Sequence, residues 1–215
     1  MCLHYFPRDE GMHSIIVDGK ALSPTKVLCV GRNYLDHIKE LNNVIPQQMV
    51  VFNKPSTAIA TQLNAYHQET LHYEGEICFV VAQGQLSAVG IGLDLTKRQL
   101  QSELKQKGLP WERAKAFDGS AVFSRFIPLA GLMIDELEIE LFINCVRVQR
   151  GGVKQMIYSP QTIVAELKSY TTLCDGDVIM TGTPQGVGEV QQGDVFLGRL
   201  IHAGKTLIEI EWQAN

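Results

Sequence analysis

The residues with the most chemical potential in this chain are three carboxylates. The stretch LHYEGEICFVV sets His72, Glu74 and Glu76 at alternate positions ahead of an apolar run, and GIGLDLTKRQLQ ends another apolar run on Asp94. Read as a strand, residues two apart share a face, so the imidazole and two carboxylates form one row. Like charges this close raise one another's pKa unless something positive lies between them. Two acids at i and i+2, joined by a third from another strand end, make an oxygen-rich pocket. Such a pocket suits a hard divalent cation, Mg²⁺ or Mn²⁺, with water or substrate completing the shell. Zinc would ask for more nitrogen or sulfur, which His72 alone could supply. Spacing by itself leaves open that Glu74 and Glu76 simply face solvent at the start of a strand.

The rest of the chain must position this row. The 215 residues, 45% of them hydrophobic, are ample for one sizeable core, and a single domain over 1–215 is expected. A net charge of −4 without clustered Lys and Arg argues against a nucleic-acid surface. No apolar run nears the roughly 20 residues of a membrane span. The opening MCLHYFPRDEGMH has no apolar core of a signal peptide, so a cytoplasmic location is expected. The 5 cysteines form no C-x-x-C pair and read as free thiols, with Cys29, Cys78 and Cys145 in or beside apolar strand-like runs.

Strand-like runs dominate: HSIIVD, KVLCVG, MVVFNK, GEICFVVA, SAVGIGLDL, ELEIELFINCVRV, DVIMTGT, DVFLGRLI and TLIEIEW. In ELEIELFINCVRV the residues Leu137, Ile139, Leu141, Ile143 and Cys145 alternate onto one face. Three helices are predicted. NYLDHIKELNN has Asn33 as N-cap and a Tyr34, Ile38, Leu41 stripe. TKRQLQSELKQKG stops at Gly108, and SPQTIVAELKSY opens on Ser159 as N-cap with Pro160 at the first helical position. Strands outnumber helices and do not alternate with them, which predicts a mostly β, α+β domain rather than a doubly wound sheet. His37 and Glu40, and again Arg98 and Gln101, are i, i+3 pairs on one helix face. Each pair could equally be a solvated face. TGTPQGVGEVQQGD is glycine-rich but lacks the G-K-[ST] of a phosphate loop, so nucleotide binding is not expected.

Six ordered motifs, KVLCVGRNYLDHIKEL, VFNKPSTAI, LHYEGEICFVV, GIGLDLTKRQLQ, KGLPWERAKAFDGS and DVIMTGTPQGVG, resemble the fumarylacetoacetate hydrolase family over about residues 26–194. The likeness is to its short members of the acylpyruvate hydrolase and oxaloacetate decarboxylase type. The resemblance implies a mixed-sheet roll or barrel with a few short helices, usually assembled as a homodimer. It implies Glu74, Glu76 and Asp94 as ligands of Mg²⁺ or Mn²⁺, and His37 with Glu40 as a catalytic dyad on a helix over the site. Arg98 and Gln101 become the clamp for a substrate carboxylate, a role a guanidinium fork suits. Lys115 becomes the active-site lysine that stabilises enolate charge, Lys54 a support beside the metal carboxylates, and Thr183 a contact to substrate oxygens. Two departures stand out: Lys97 and Gln99 flank Arg98 where relatives read T-A-R-D, and Asn53 precedes the Lys-Pro pair where an apolar or small residue is usual.

The chemistry implied is that of a small 2-oxo acid. The expected reaction is Mg²⁺-dependent hydrolysis of the C3–C4 bond of an acylpyruvate, such as acetylpyruvate or fumarylpyruvate, to pyruvate and a carboxylic acid. Decarboxylation of oxaloacetate shares the same enolate. The alternative is keto–enol tautomerisation of oxaloacetate, which needs only proton shuttling, and a non-catalytic 2-oxo acid or metal binder is the minor one.

Overall fold

A computed structural model describes residues 13–41 and 46–215. Cys2, the opening segment and residues 42 and 43 of the first predicted helix lie outside the described residues.

The alternation read from the sequence builds a mixed sheet of eight strands. Its main order runs Val50–Pro55, Lys26–Gly31, Val178–Met180, Gly75–Ala82, Gln85–Asp94, Ala121–Phe123, Ile59–Ala60, with Ile127–Pro128 paired off Gln85–Asp94. Most pairings are antiparallel, but Val178–Met180 runs parallel to Lys26–Gly31, and Ala121–Phe123 parallel to Ile59–Ala60. A second, antiparallel sheet of four strands follows the order Val146–Gly152, Leu137–Ile143, Val195–His202, Lys205–Gln213. The result is the expected mostly β, α+β architecture, a curled half-barrel with few short helices.

Between the sheets lies the larger core. Ile77, Phe79, Val89, Ile91 and Leu93 meet Leu137, Ile139, Leu141, Phe196, Leu200 and Trp212 there, all buried. Alternation sends Cys78 and Val80 to the other face, where they pack with Val27, Cys29, Phe126 and Met180. Buried side chains of this size contribute about 1.5–3 kcal/mol each on leaving water, so the central strand pair is the rigid base of the molecule.

Four α-helices occur among the described residues: α1 (Leu35–Glu40), α2 (Arg98–Gln106), α3 (Glu112–Lys115) and α4 (Pro160–Tyr170). α4 begins as predicted, with the Ser159 hydroxyl accepting the Thr162 N–H and Pro160 at the first position. It packs Ile163, Val164 and Leu167 onto Leu28, Val30, Val81 and Ile179. None of these helices is long and apolar enough to cross a membrane.

Two expectations need correction. Asn33 does not cap α1; Tyr34 occupies that position without a side-chain bond. The Asn33 amide instead donates to the Tyr158 and Thr181 carbonyls and accepts the Tyr158 N–H. Three hydrogen bonds made by a fully buried side chain outcompete a single cap. The ELEIELFINCVRV run is a hairpin rather than one strand, turning at Asn144 and Cys145 with φ of 49° and 68°. Leu137, Ile139 and Leu141 are buried as expected, but Ile143 is half-buried and Cys145 is exposed, while Cys29 and Cys78 are buried.

Candidate active site

The row predicted from alternation breaks at Glu74. Residues Glu69–Tyr73 pair with Thr96–Lys97 and Gly188–Glu189, whereas Gly75–Ala82 pairs with Gln85–Asp94 and Val178–Met180. The chain changes sheets between them. His72 therefore stays with the first group, its Nε2 3.9 Å from Glu189 Oε1, and takes no part in the acidic cluster. Glu74, at the switch, turns inward instead and joins Glu76 and Asp94.

Oxygens of Glu74, Glu76 and Asp94 all lie within 4.8 Å of one another, and the three residues are 7%, 2% and 1% exposed. Asp94 ends the strand opposite Gly75 and Glu76, and its N–H donates to the Glu74 carbonyl at 2.8 Å, which sets the convergence. An all-oxygen, buried donor set fits a hard divalent cation rather than zinc. Burial, then the charges of Asp94 and Glu74, push the Glu76 carboxyl well above the ordinary range. Full ionisation of the trio thus calls for more positive charge than the protein supplies at Glu76. That electrostatic deficit is the strongest structural argument for a cation.

The chain supplies part of that charge. Lys115 Nζ donates to Glu74 Oε2 at 2.8 Å, Asp94 Oδ2 at 2.8 Å and Thr96 Oγ1 at 2.6 Å. Burial works against the ammonium, but Asp94 and Glu74 outweigh it and raise the Lys115 pKa. Lys54 Nζ lies 2.8 Å from Asp94 Oδ1 and also donates to the Lys115 carbonyl. Both lysines are essentially inaccessible. Arg98 pairs with the Glu74 carboxylate and donates to Gln101 Oε1 at 2.9 Å. Burial tends to raise the Glu74 pKa, but Lys115 and then Arg98 overcome it and hold it far below the usual range.

α1 brings His37 to the same cleft. Its Nδ1 faces Glu40 Oε2 at 3.2 Å, while Glu40 Oε1 accepts the Gly186 N–H at 2.9 Å. Burial, partly offset by Glu74 and Glu40, lowers the His37 pKa, so the ring is neutral near pH 7.

The glycine-rich segment has a defined purpose. Gly182 donates its N–H to Glu76 Oε2 at 2.7 Å and has φ of 97°; a Cβ there would lie 2.9 Å from the Val30 carbonyl oxygen. Gly186, at φ 100°, would place a Cβ 2.0 Å from the Val148 oxygen. Only glycine delivers these two amides to the two carboxylates. The Thr183 hydroxyl donates to the Gly75 carbonyl at 2.9 Å and lines the cleft.

Thus all ten residues named for the site converge on one region: eight of them line the cleft, of about 400 Å³ including its open mouth, and Glu40 and Lys54 contact His37 and Asp94 from behind. The departures at Gln99 and Asn53 are exposed and lie away from it. Gln149 escaped the sequence reading. It is buried, accepts the Gly75 N–H at 2.9 Å, and donates to Thr183 Oγ1 and the Pro184 carbonyl. Its one signal was a polar side chain opposite the inward Leu141. The short α3, which carries Lys115, was also unforeseen.

A family model described as fumarylacetoacetate (FAA) hydrolase C-terminal matches residues 26–211. Oxaloacetate tautomerase YcgM of Escherichia coli (strain K12) is 37% identical over 187 residues, 79% of this chain and 85% of that protein. The mitochondrial oxaloacetate tautomerase FAHD1 of Homo sapiens is 36% identical over 184 residues, 78% of this chain and 83% of its own length. The crystal structure of fumarylpyruvate hydrolase from Pseudomonas aeruginosa in complex with Mn²⁺ and pyruvate superposes with a TM-score of 0.86. It is 30% identical and covers 98% of each chain.

Proposed function

The chain belongs to the fumarylacetoacetate hydrolase family, and from that membership we propose that it is a divalent-metal-dependent oxaloacetate keto–enol tautomerase. The observation carrying this reading is one cleft that joins three buried carboxylates to a neutral, buried imidazole. Relatives named as oxaloacetate tautomerases at 36–37% identity favour this reaction over the acylpyruvate hydrolysis expected from sequence.

A Mg²⁺ or Mn²⁺ ion held by Glu74, Glu76 and Asp94 would supply Lewis-acid stabilisation of negative charge on the substrate's C2 oxygen. Arg98, oriented by Gln101 and Glu74, binds the C1 carboxylate with Gln101 beside it. His37 presents Nε2, because Nδ1 faces Glu40. That nitrogen takes a proton from C3 of the keto form, and the same proton is returned to the C2 oxygen to give the enol. Glu40, braced by the Gly186 amide, steadies the imidazolium formed in between. Lys115 keeps its proton and sets a fixed positive charge beside the developing enolate. Lys54 positions Lys115 through its carbonyl, and Thr183 holds the Gly75 backbone between the two glutamates.

A second reading, hydrolysis of an acylpyruvate, is favoured by the fumarylpyruvate hydrolase that aligns over the whole chain. There His37 would instead activate water against the C4 carbonyl. Purified full-length protein with Mg²⁺ distinguishes the two. Acceleration of the ultraviolet decay of enol-oxaloacetate without release of pyruvate or CO₂, reduced at least about a hundredfold in His37→Ala, is the expected result. Stoichiometric pyruvate from acetylpyruvate, with no effect on oxaloacetate enolisation, would replace the proposal with the hydrolase.

A further inference from the structure

α2 carries Arg98, Gln101 and Lys105 at i, i+3 and i+7, on one face and over about 10 Å of helix axis. All three line the cleft, the first two beside the carboxylates and Lys105 farther along. There the Lys105 ammonium stands 5.0 Å from the centroid of Trp111, and the Arg32 guanidinium carbon 5.9 Å from the same ring. Two cations thus approach one indole. Arg32 is held there by a left-handed backbone, φ 57°, directly after the Lys26–Gly31 strand. A non-glycine residue in that conformation costs on the order of 1 kcal/mol, a strain typical of functional sites.

Positive groups gather at this end of the cleft. The Lys105 ammonium makes no ion pair with a carboxylate among the described residues, and its half-buried position sets it near Arg32 and Arg98. Burial first, then those two cations, bring its pKa down to about 8. An anion entering between them would relieve that repulsion in a concave, partly dry setting where field lines concentrate.

We propose that Lys105, with Arg32, is the specificity determinant of the site and binds the second carboxylate of a 2-oxo dicarboxylate. The substrate class is then dianionic 2-oxo acids, not acylpyruvates with an uncharged tail. This rests on the reading of the cleft as a 2-oxo acid site. Arg98 and Gln101 take the carboxylate next to the keto group, and Lys105 and Arg32 take the far one, so the same helix face measures the length of the diacid. Trp111, against which both cations stand, covers the carbon chain.

The test uses the full chain with Mg²⁺, titrated calorimetrically with oxaloacetate and with pyruvate, alongside steady-state kinetics on oxaloacetate. The wild type is expected to bind oxaloacetate at least about tenfold tighter than pyruvate, since charge-assisted hydrogen bonds carry that much. Lys105→Gln should cut this preference about tenfold and raise KM in step, with kcat and pyruvate affinity changed less than about twofold; Lys105→Arg should restore it. No preference in the wild type, or equal weakening of both ligands in Lys105→Gln, would overturn the assignment. If oxaloacetate binds selectively through Lys105 but is not enolised, the tautomerase reading fails and the dicarboxylate site stands. If enolisation proceeds without selectivity, the reverse holds.

Discussion

Lys115 carries more of the local charge balance than any other side chain. Its ammonium is the shared partner of Glu74, Asp94 and Thr96. Replacing it with methionine keeps the volume but leaves two buried carboxylates short of a cation. Breaking a buried pair from one side costs about 3–5 kcal/mol. Lys115→Met should therefore lower the melting temperature sharply in the absence of added metal, and partly recover with saturating Mg²⁺, as followed by calorimetry. Turnover should stay about a hundredfold or more below wild type even in the recovered protein. A variant that melts and turns over like the wild type would remove Lys115 from the mechanism. At this scale the residues that gather in the cleft were legible, because their types and spacings follow a known order of motifs. His72 was misplaced for a physical reason: period-two alternation holds only within one ladder, and the backbone leaves one ladder for another at Glu74.

The elements work by presenting backbone groups as much as side chains. Gln149, from the hairpin strand Val146–Gly152, grips Gly75 on one side and Thr183 and Pro184 on the other. It ties the strand switch to the glycine-rich loop that serves Glu76. Gln149→Leu should cost about 1–3 kcal/mol, from groups left buried without partners. Because it orients the backbone between two of the carboxylates proposed to hold the metal, it should also weaken Mg²⁺ binding about tenfold or more. Denaturant midpoints and metal titration check the two effects separately, and unchanged metal affinity would reduce Gln149 to a packing role. The strand alternation and the Ser159–Pro160 start of α4 were readable, being local in origin. Gln149, Asn33 and α3 were not, since each depends on partners distant along the chain: Asn33 bonds to Tyr158 and Thr181.

At the level of the whole molecule, the proposed cation site links metal binding to folding. The three carboxylates come from the strand switch and from the end of Gln85–Asp94, so they converge only in the folded state. A ligand that binds only that state stabilises it by about 2.7 kcal/mol at a hundredfold excess over its Kd. For a domain of this size that is a rise in melting temperature of roughly 5–10 °C. Mg²⁺ or Mn²⁺ should produce it, chelation should reverse it, and Asp94→Asn should abolish most of it. A melting point indifferent to metal and chelator would contradict the cation site. What the sequence determined alone was local, or lay in the order of its motifs: a mostly β domain, alternating strands, and which acids and which His37–Glu40 pair to look for. Tertiary structure decided which groups share a cleft: that His72 is left outside, that Gln149 and two glycine amides brace the carboxylates, and that Lys105 and Arg32 both approach Trp111. The reason is that propensity and periodicity act over a few residues, whereas charge balance and hydrogen-bond satisfaction are settled by segments up to 152 positions apart, once the core has closed around them.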